Sequence, residues 1–451
     1  MESNLPIVVI IGPTAVGKSR LALELAQHFQ GEIINSDSMQ LYKGLDIVTN
    51  KISQADKELV KHHMLDVLDP LTDIYTVSEY KKNAKPIIHS LMYDACKIPF
   101  IVGGTNYYIE SVLWDYLLDS KKSEKIIDKD FINRLDILLD KYNSKKGDKC
   151  LKFDPFNVLN NVNIHSVPTP ELYDLLKQID FDRSTSIHPN ERRKIIRNLQ
   201  IYEQCGQKPS DLILKQKGKH NLNSVSGKLI YPNSIMFWLD CDIEILKRRI
   251  DKRVDQMINM GLIDELRDFY HKLNDHPLKH DIITNNKGVF QNIGLKEFVK
   301  YIETDCTNES IMQKCIENLK LVTLKYAKRQ NKWIKGRFLK RRNVIDMPFI
   351  YNLDTTKVQN DLDWYNAIYE PALKIVKTHL NPCNIDYGNK YIKLSGSSSS
   401  PIDKMSNSEW TQNNVSTTHM YECQKCQKFI VGDTSWMSHL KSKAHKFKQV
   451  S

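Results

Sequence analysis

The chain has 451 residues, of which 26% are charged and 41% are hydrophobic. This composition excludes a wholly disordered chain, and the length allows about three domains of roughly 150 residues each. Lysine and arginine number 65 against 54 aspartate and glutamate residues, and this excess of 11 positive charges favours an anionic partner.

Membrane and secretory segments are not indicated. The apolar run at 7–11 is far shorter than the roughly 18 to 20 residues that span a bilayer, and the segment 1–4 has no basic residue of the kind that opens a signal peptide. The nine cysteines are an odd number, and seven are scattered singly, as in a reducing compartment. We therefore expect a cytoplasmic protein, with mitochondrial and nuclear fractions left open, and a monomer.

Short β-branched runs alternate with helical patterns from the start of the chain. The sequence predicts strands at 7–11, 32–34, 99–102 and 235–239, and a helix at 19–29. Such alternation is typical of a parallel sheet that binds its ligand at the carboxyl ends of the strands.

From about residue 119 the strand patterns fade, and helices are predicted at 170–179 and 191–205. Further helices are predicted at 253–273, 315–338 and 361–380, and the serine-rich stretch around 397–400 predicts a flexible linker. The predicted boundaries are 1–118 and 232–342 for an α/β core, 119–231 for a helical insertion, 343–380 for a core extension, 381–418 for the linker and 419–448 for a terminal module.

The segment 12–19 matches the phosphate-loop pattern G-x-x-x-x-G-K-S in its required place, after a strand and at the start of a helix. The glycines let successive amides face a phosphate, Lys18 adds a charge and Ser19 offers a hydroxyl to Mg²⁺. The pattern also binds nucleotides such as ATP, so a kinase or NTPase mechanism stays open. Asp240, at the end of a predicted strand, is a weak candidate for the second acidic motif of such enzymes.

Asp37 follows the second predicted strand and should lie near the phosphate loop at the same edge of the sheet. Taken alone, it is also typical of a helix N-cap. The pair Gly103-Gly104 ends the third strand and indicates a turn that permits close backbone approach.

Positive charge is concentrated near the C-terminal end of the core. Residues 320–342 carry ten lysines and arginines and no acidic residue, with Tyr326 and Trp333 interleaved. A basic helix with aromatic residues suits a phosphate backbone and unstacked bases, although a solvated helix or a nuclear-import patch has the same composition. Arg192, Arg193 and Arg197, one helical turn apart, form a second candidate patch.

The terminal module carries Cys423-x₂-Cys426-x₁₂-His439-x₅-His445, the spacing of a two-Cys, two-His zinc finger. Such a site is closed, so Zn²⁺ there is structural, and a finger this small needs the metal to fold. RNA binding and protein docking both remain open for it. The predicted fold class is thus α/β, a P-loop parallel-sheet core with a helical insertion domain and a small C-terminal zinc finger.

The segment 35–51, together with the phosphate loop, resembles the signature of the tRNA dimethylallyltransferases (tRNA isopentenyltransferases). The resemblance continues in order through 62–63, 103–108, 188–193, 246–257, 291–298 and 326–334. It spans roughly residues 6–340, and the terminal finger makes it most similar to the eukaryotic branch. His62 and His63 lie within it but are as typical of packing as of substrate contact.

The resemblance implies transfer of a dimethylallyl group from dimethylallyl diphosphate to the exocyclic amine of the adenine 3′ of the anticodon in a tRNA anticodon stem-loop. It implies Asp37 as the general base, and Mg²⁺ held with the diphosphate. The implied catalytic set is Asp37, Thr14, Lys18 and Arg253. The diphosphate-binding set is Gly12, Pro13, Thr14, Ala15, Val16, Gly17, Lys18, Ser19 and Arg253. The candidate tRNA-binding set is Asp37, Ser38, Met39, Gln40, Thr105, Arg192, Arg193, Arg197, Lys325, Lys328, Arg329, Lys332 and Trp333.

Two other classes of protein stay open as alternatives. A P-loop kinase would turn over ATP without tRNA, and a non-catalytic RNA-binding protein would use the basic helix and the finger alone. Which tRNAs are modified cannot be predicted from the sequence.

Overall fold

A computed structural model describes residues 5–71, 75–115, 128–143, 164, 167–218, 229–274, 288–304, 306–339, 347–380, 391–394, 420–442 and 445. The chain divides into two compact units, Met1–Tyr116 with Ser226–Ser397 and Leu117–Val225 with Ser398–Ser451. The domain boundaries predicted from the sequence stay predictions. The predicted linker at 397–400 and the basic residues Lys340, Arg341 and Arg342 lie outside the described residues.

Seven strands form a parallel sheet in the described part of the first unit. In spatial order they are β3 (His62–His63), β2 (Glu32–Asn35), β4 (Pro99–Val102), β1 (Ile7–Ile11), β5 (Ser234–Asp240), β6 (Phe349–Asp354) and β7 (Tyr391–Leu394). Every neighbouring pair is parallel. The predicted α/β class with a parallel-sheet core is therefore confirmed.

The central strand β1 is buried on both faces. Its alternating side chains enter two separate hydrophobic cores, with Val8 and Ile10 on one side and Ile7, Val9 and Ile11 on the other. A five-residue run without a polar side chain fits this position because helices cover both faces of a parallel sheet. The phosphate loop thus begins at a rigid, fully buried strand.

The helices surround this sheet in the first unit and, in the second, form the insertion and the last element of the terminal module. In chain order they are α1 (Lys18–His28), α2 (Gln54–Leu59), α3 (Val77–His89), α4 (Asn106–Leu113), α5 (Lys129–Asn143), α6 (Thr169–Ile179), α7 (Phe181–Thr185), α8 (Arg192–Cys205), α9 (Pro209–Gly218), α10 (Ile243–Asn259), α11 (Leu262–Asn274), α12 (Val299–Ile302), α13 (Glu309–Arg337), α14 (Asp361–Trp364), α15 (Glu370–Leu380) and α16 (Asp433–Lys441).

Two predicted helices are interrupted in the structure. The predicted helix at 253–273 is two helices, α10 and α11, because Gly261 adopts a positive φ of 95° that ends the first. The predicted helix at 361–380 contains a π-helical segment, Tyr365–Tyr369, between α14 and α15. None of the described helices combines the length and hydrophobicity that a bilayer-spanning segment needs.

The second unit contains the helical insertion and the terminal module. Helices α5, α6 and α8 share one core that includes Leu135, Leu176 and Leu199. The terminal module is a two-stranded antiparallel hairpin, β8 (Met420–Cys423) and β9 (Lys428–Val431), followed by α16. Within this unit Met420 packs against the insertion core, and the His188 Nε2 atom lies 3.1 Å from the Phe429 carbonyl oxygen.

Candidate active site and nucleic-acid interface

The phosphate loop joins β1 to α1 and contains every predicted diphosphate-binding residue except Arg253. Lys18 folds back over the loop, and its Nζ donates a hydrogen bond of 2.7 Å to the Pro13 carbonyl. Gly17 has a positive φ of 91°, and a Cβ at this position would lie 2.7 Å from the Trp364 indole ring. Only glycine satisfies both constraints. Trp364, which the sequence analysis missed, therefore backs the loop from the C-terminal part of the first unit.

The acidic turn at 37–40 follows β2, as the sequence predicted. The Asp37 Oδ1 atom accepts a hydrogen bond of 3.0 Å from the Met39 amide, and the Ser38 amide donates one of 3.0 Å to the Thr105 hydroxyl. No helix begins at Asp37 in the described residues, so the N-cap alternative is wrong. Burial raises the pKa of the Asp37 carboxyl, and the nearby positive charges of Lys18 and Arg253 partly oppose that rise.

Arg253 reaches the phosphate loop from α10. The Asp242 side chain caps the N-terminus of that helix by accepting hydrogen bonds from the Glu244 and Ile245 amides. One guanidinium nitrogen of Arg253 donates a 2.7 Å hydrogen bond to the Thr14 hydroxyl. Burial lowers the pKa of Arg253 to about 10 and that of Lys18 to about 8. Two cations are thus held beside one carboxylate in a buried place, an arrangement suited to a strongly negative ligand.

Gln330 joins the phosphate loop to the Gly103-Gly104 turn. Its Oε1 accepts a 2.9 Å hydrogen bond from the Thr14 amide, and its Nε2 donates one of 3.1 Å to the Gly104 carbonyl. A Cβ on Gly104 would lie 2.4 Å from that Nε2 and 3.5 Å from the Asp37 Oδ2, so a side chain there would displace the Gln330 amide from its hydrogen bond. Gln330 was given no role from the sequence, because its burial beside Ala327 is visible only in the structure.

Two cavities meet at Asp37. The larger, of about 520 Å³, and the smaller, of about 80 Å³, share part of their walls. The shared residues are Thr14, Asp37, Thr49, Gly104 and Arg253. The smaller cavity is also lined by Lys18, Ser19, Gln40 and His62, and the larger by Ser38, Met39 and Thr105. An acidic group therefore lies between a phosphate-loop cavity and a wider one.

The wider cavity has one apolar side. Ile250, Val254 and Met257 line it from successive turns of α10, and Leu319 lines it from α13. The sequence does not predict a role for these residues, because helical spacing of apolar residues is equally typical of a core. A small hydrocarbon group and a planar ring both fit a cavity of this size and lining.

The basic helix predicted at 315–338 is α13. Lys325, Lys328, Arg329 and Lys332 are exposed on it, and Arg329 and Trp333 also line the wider cavity. Part of the positive charge of this segment is not available to a partner. Three of its cations pair with carboxylates of the first unit: Lys320 with Asp255, Lys335 with Asp240 and Arg337 with Glu110. Those pairs neutralise part of the charge within the fold.

Comparison with known proteins supplies the family. The profile described as IPP transferase matches residues 40–337. The mouse tRNA dimethylallyltransferase is 36% identical over 454 residues, covering 99% of this chain and 86% of that protein. The Schizosaccharomyces pombe tRNA dimethylallyltransferase is 30% identical over 98% of this chain and 94% of its own length. The chain belongs to the IPP transferase family. The predicted family and the predicted enzyme class, a prenyltransferase, are confirmed.

A solved structure of a eukaryotic dimethylallyltransferase acting on tRNA is also similar to this chain. Its TM-score is 0.71 at 28% identity, and the match covers 98% of this chain and 96% of that one. The resemblance to the eukaryotic branch of the IPP transferase family therefore extends over nearly the full length, including the terminal module.

Asp240 and one of the two histidines at 62–63 lie away from both cavities. Asp240, the weak second acidic candidate of a kinase, accepts a hydrogen bond from the Asn331 amide and lines neither cavity. His63 lies 2.6 Å from Glu32 at the other end of β2, whereas His62 lines the phosphate-loop cavity. In this IPP transferase family member, His62 therefore lines the phosphate-loop cavity, and His63 contacts Glu32 within the fold.

The second basic patch lies on α8 in the other unit. Its first member, Arg192, donates hydrogen bonds of 2.6 and 2.7 Å to the Ile164 and Val167 carbonyls, and its predicted contact with tRNA stays a prediction. A guanidinium held by backbone carbonyls of the insertion has a structural role. Arg193 and Arg197 are exposed, and their predicted contact with tRNA stays a prediction.

The four predicted zinc ligands come together in the terminal module. Cys423, Cys426, His439 and His445 place one donor atom each within 4.8 Å of the others. The His445 Nδ1 atom lies 3.4 Å from both sulfurs and 3.1 Å from the His439 Nε2. These separations match the edges of a small tetrahedron, and two thiols with two imidazoles are a donor set that Zn²⁺ prefers. The lysines at 443, 446 and 448 lie outside the described residues.

Proposed function

We propose that this enzyme transfers the dimethylallyl group of dimethylallyl diphosphate to the exocyclic amine of the adenine 3′ of the anticodon of certain tRNAs. The observation that carries the proposal is the place of Asp37 on the wall shared by the two cavities. The diphosphate would occupy the phosphate-loop cavity, and the base and the five-carbon group would occupy the wider one. Asp37 would then lie where the new bond forms.

The chemistry needs one bond broken, one bond formed and one proton moved. The carbon–oxygen bond between the allylic carbon and the diphosphate breaks, and its electron pair leaves with the diphosphate. The adenine nitrogen donates a pair to the same carbon and loses a proton to Asp37. The adenine amine is a poor nucleophile because its lone pair is delocalised, so general-base assistance of about 10²–10⁴-fold is of real use here.

The leaving group carries most of the developing charge. Lys18, Arg253, the Thr14 hydroxyl and the amides of the phosphate loop would bind it, and charge stabilisation at such sites is the largest single contribution in many enzymes. The Ser19 hydroxyl lines the same cavity, which fits a Mg²⁺ ion held by the diphosphate and few protein ligands. When bound, Mg²⁺ would supply additional neutralisation of the diphosphate.

The tRNA would lie against the exposed face of α13. Lys325, Lys328, Arg329 and Lys332 recur at helical spacing there, and Arg329 and Trp333 reach the mouth of the wider cavity. An adenine in the anticodon loop must leave its stack to enter a cavity, and aromatic and guanidinium groups support extruded or neighbouring bases. We extend the proposal to the terminal module as a zinc-dependent second contact with RNA.

One experiment separates the proposal from its rivals. The protein is incubated with dimethylallyl diphosphate carrying a label in the hydrocarbon, with ATP and with an anticodon stem-loop. Label transferred to RNA at an adenine supports the proposal. Hydrolysis of ATP without labelled RNA would instead indicate a kinase or NTPase, and binding of RNA without either reaction would indicate a non-catalytic RNA-binding protein.

The affinity for diphosphate is expected to fall as the pH rises through about 8. Only protonated Lys18 attracts an anion, and burial lowers its pKa to about 8 in the free enzyme. Above that pH the dissociation constant of a thiolodiphosphate analogue of the substrate should rise by about tenfold per pH unit, since a bound diphosphate raises the pKa again. Calorimetric titration from pH 6.5 to 9.5 measures this.

Lys18→Arg is the matched control for the pH experiment. Its guanidinium stays protonated through this range, so the break near pH 8 should disappear while affinity at pH 7 is largely kept. An unchanged break in this variant would assign the titration to another group.

Replacing Cys423 with serine should remove zinc from the terminal module and unfold it. We expect the KM for tRNA to rise on the order of tenfold, equivalent to about 1.4 kcal/mol, while kcat at saturating tRNA changes little. Zinc content by atomic absorption and steady-state kinetics measure the two effects. Cys96→Ser, at an exposed cysteine of the first unit, is the control. An unchanged KM with zinc lost would indicate that the module binds something other than tRNA.

A further inference from the structure

Two buried asparagines lie on the wall of the wider cavity and are not used by the chemistry above. Asn106 is the first residue of α4, directly after Thr105, and Asn292 follows a short 3₁₀ segment, Gly288–Gln291. Their exposed fractions are 5% and 7%. Both line the wider cavity, and neither lines the phosphate-loop cavity.

Each of these side chains has a polar atom without a partner. The Oδ1 of Asn106 and the Nδ2 of Asn292 are buried and make no hydrogen bond. A buried polar atom without a partner is costly, and native structures seldom keep one without a ligand, a water or a functional reason. In the described part of the chain, the other residues with such atoms, Glu203, Trp238 and Asn331, line neither cavity.

The substrates of the proposed reaction offer few groups that could pair with these amides. The diphosphate belongs with Lys18 on the other side of Asp37, and the five-carbon group has no hydrogen-bonding atom. The acceptor base remains, because adenine presents ring nitrogens that accept hydrogen bonds and an amine that donates them. An asparagine amide carries one donor group and one acceptor group and can meet either kind of atom.

We propose that Asn106 and Asn292 hydrogen-bond the edge of the acceptor adenine and so select that base, an inference that rests on the proposed function. Asn106 lies beside the Gly104-Thr105 turn, which contacts Asp37 and Ser38. This places the amide of Asn106 on the same wall as the proposed base. A base whose edge carries a different order of donors and acceptors leaves an amide unpaired and is rejected for that reason.

The test uses anticodon stem-loops that carry adenine, 1-deazaadenine, 3-deazaadenine or 7-deazaadenine at the acceptor position. Each analogue replaces one ring nitrogen by a carbon and keeps the reacting amine. The wild-type enzyme should lose about 5- to 150-fold in kcat/KM on at least one analogue, the range expected for one buried hydrogen bond left unpaired.

The variants Asn106→Leu and Asn292→Leu complete a double-mutant cycle with these substrates. For an asparagine that contacts a ring nitrogen, the kcat/KM of the leucine variant on adenine should fall by about as much as that of the wild-type enzyme on the matching analogue. The leucine variant should then show no further loss of kcat/KM on that analogue. The other two analogues serve as internal controls. Asn331→Leu, at a side chain outside both cavities whose Oδ1 also makes no hydrogen bond, should keep the wild-type ratios among all four substrates.

Asn106→Asp and Asn292→Asp keep the side-chain volume and address the case in which leucine lowers the melting temperature. They remove the amide donor and retain an acceptor oxygen. Asn292→Asp should therefore also reduce discrimination between adenine and the matching analogue, because the unpaired Nδ2 of Asn292 can donate to a ring nitrogen. The unpaired Oδ1 of Asn106 can accept only from the exocyclic amine, which all four substrates keep, so Asn106→Leu should lose kcat/KM on all four substrates and Asn106→Asp should retain most of it. Equal losses on all four substrates in both Asn292 variants, together with equal losses in both Asn106 variants, would overturn the inference and indicate packing alone. Failure of the wild-type enzyme to label any adenine stem-loop would instead overturn the proposed function.

Discussion

Replacement of Asp37 by asparagine is expected to lower the single-turnover rate of transfer by about 10²–10⁴-fold, the usual contribution of a general base. Asparagine has the size of aspartate and keeps an oxygen that can accept from the Met39 amide, so the turn at 37–40 should survive. What is lost is the capacity to take a proton from the adenine amine. Rapid-quench measurement with tRNA and labelled dimethylallyl diphosphate both saturating isolates this step.

The affinity of Asp37→Asn for its substrates should not fall along with the rate. The carboxylate of Asp37 is close enough to Lys18 and Arg253 to affect their pKa values, so its removal leaves two cations less neutralised. The affinity for a thiolodiphosphate analogue should therefore be unchanged or tighter, and tRNA affinity should be largely kept. The acid limb of the pH–rate profile should also disappear, since burial raises the pKa of Asp37 and the wild-type rate falls as this group becomes protonated.

Asp264→Asn, at an exposed carboxylate on α11, is the matched control and should retain the wild-type rate. An Asp37→Asn enzyme with near-normal turnover would remove Asp37 as the base. A rate loss accompanied by equally weakened analogue binding would indicate that Asp37 organises the phosphate loop rather than takes a proton.

The central strands of the fold were predictable because their sequences are unambiguous. The runs at 7–11 and 99–102 are apolar and β-branched, and the structure has strands with these bounds. Two strands away from the centre of the sheet, the edge strand β3 and the strand β6 next to the other edge, were missed for physical reasons. β3 has two residues, too few for a pattern, and β6, Phe349–Asp354, contains Asn352, which hydrogen-bonds the Trp238 carbonyl of the neighbouring strand instead of marking a turn.

The candidate site was predictable where a motif fixes local backbone geometry. The phosphate loop and the turn after β2 are of this kind, since each lies at the carboxyl end of a parallel strand. Gln330 and Trp364 contact the phosphate loop from more than 300 residues away in sequence, and no local sequence pattern predicts such a contact. The charge of 320–342 shows the same limit, because partners such as Glu110 and Asp240 come from distant elements.

Replacement of Arg253 by alanine is expected to lower the single-turnover rate by about 10²–10³-fold, or about 2.7–4 kcal/mol of transition-state stabilisation. The guanidinium is half-buried beside the phosphate loop and donates to the Thr14 hydroxyl. As the carbon–oxygen bond breaks, negative charge grows on the departing diphosphate, so a fixed cation there stabilises the transition state more than the bound substrate. The rate should be measured at saturating dimethylallyl diphosphate with tRNA bound.

Two further variants separate this role from simpler ones. Arg248→Ala removes an exposed cation from the same helix outside both cavities, so it should retain the wild-type rate. Thr14→Val removes the hydroxyl that accepts from Arg253 but keeps the charge, and its loss should be smaller than that of Arg253→Ala. If saturating dimethylallyl diphosphate restored the Arg253→Ala rate, the guanidinium would contribute only to substrate binding, because an interaction equal in the ground state and the transition state raises KM and leaves kcat unchanged. A rate deficit that persists at saturation, with tRNA affinity intact, would place Arg253 at the leaving group during bond cleavage.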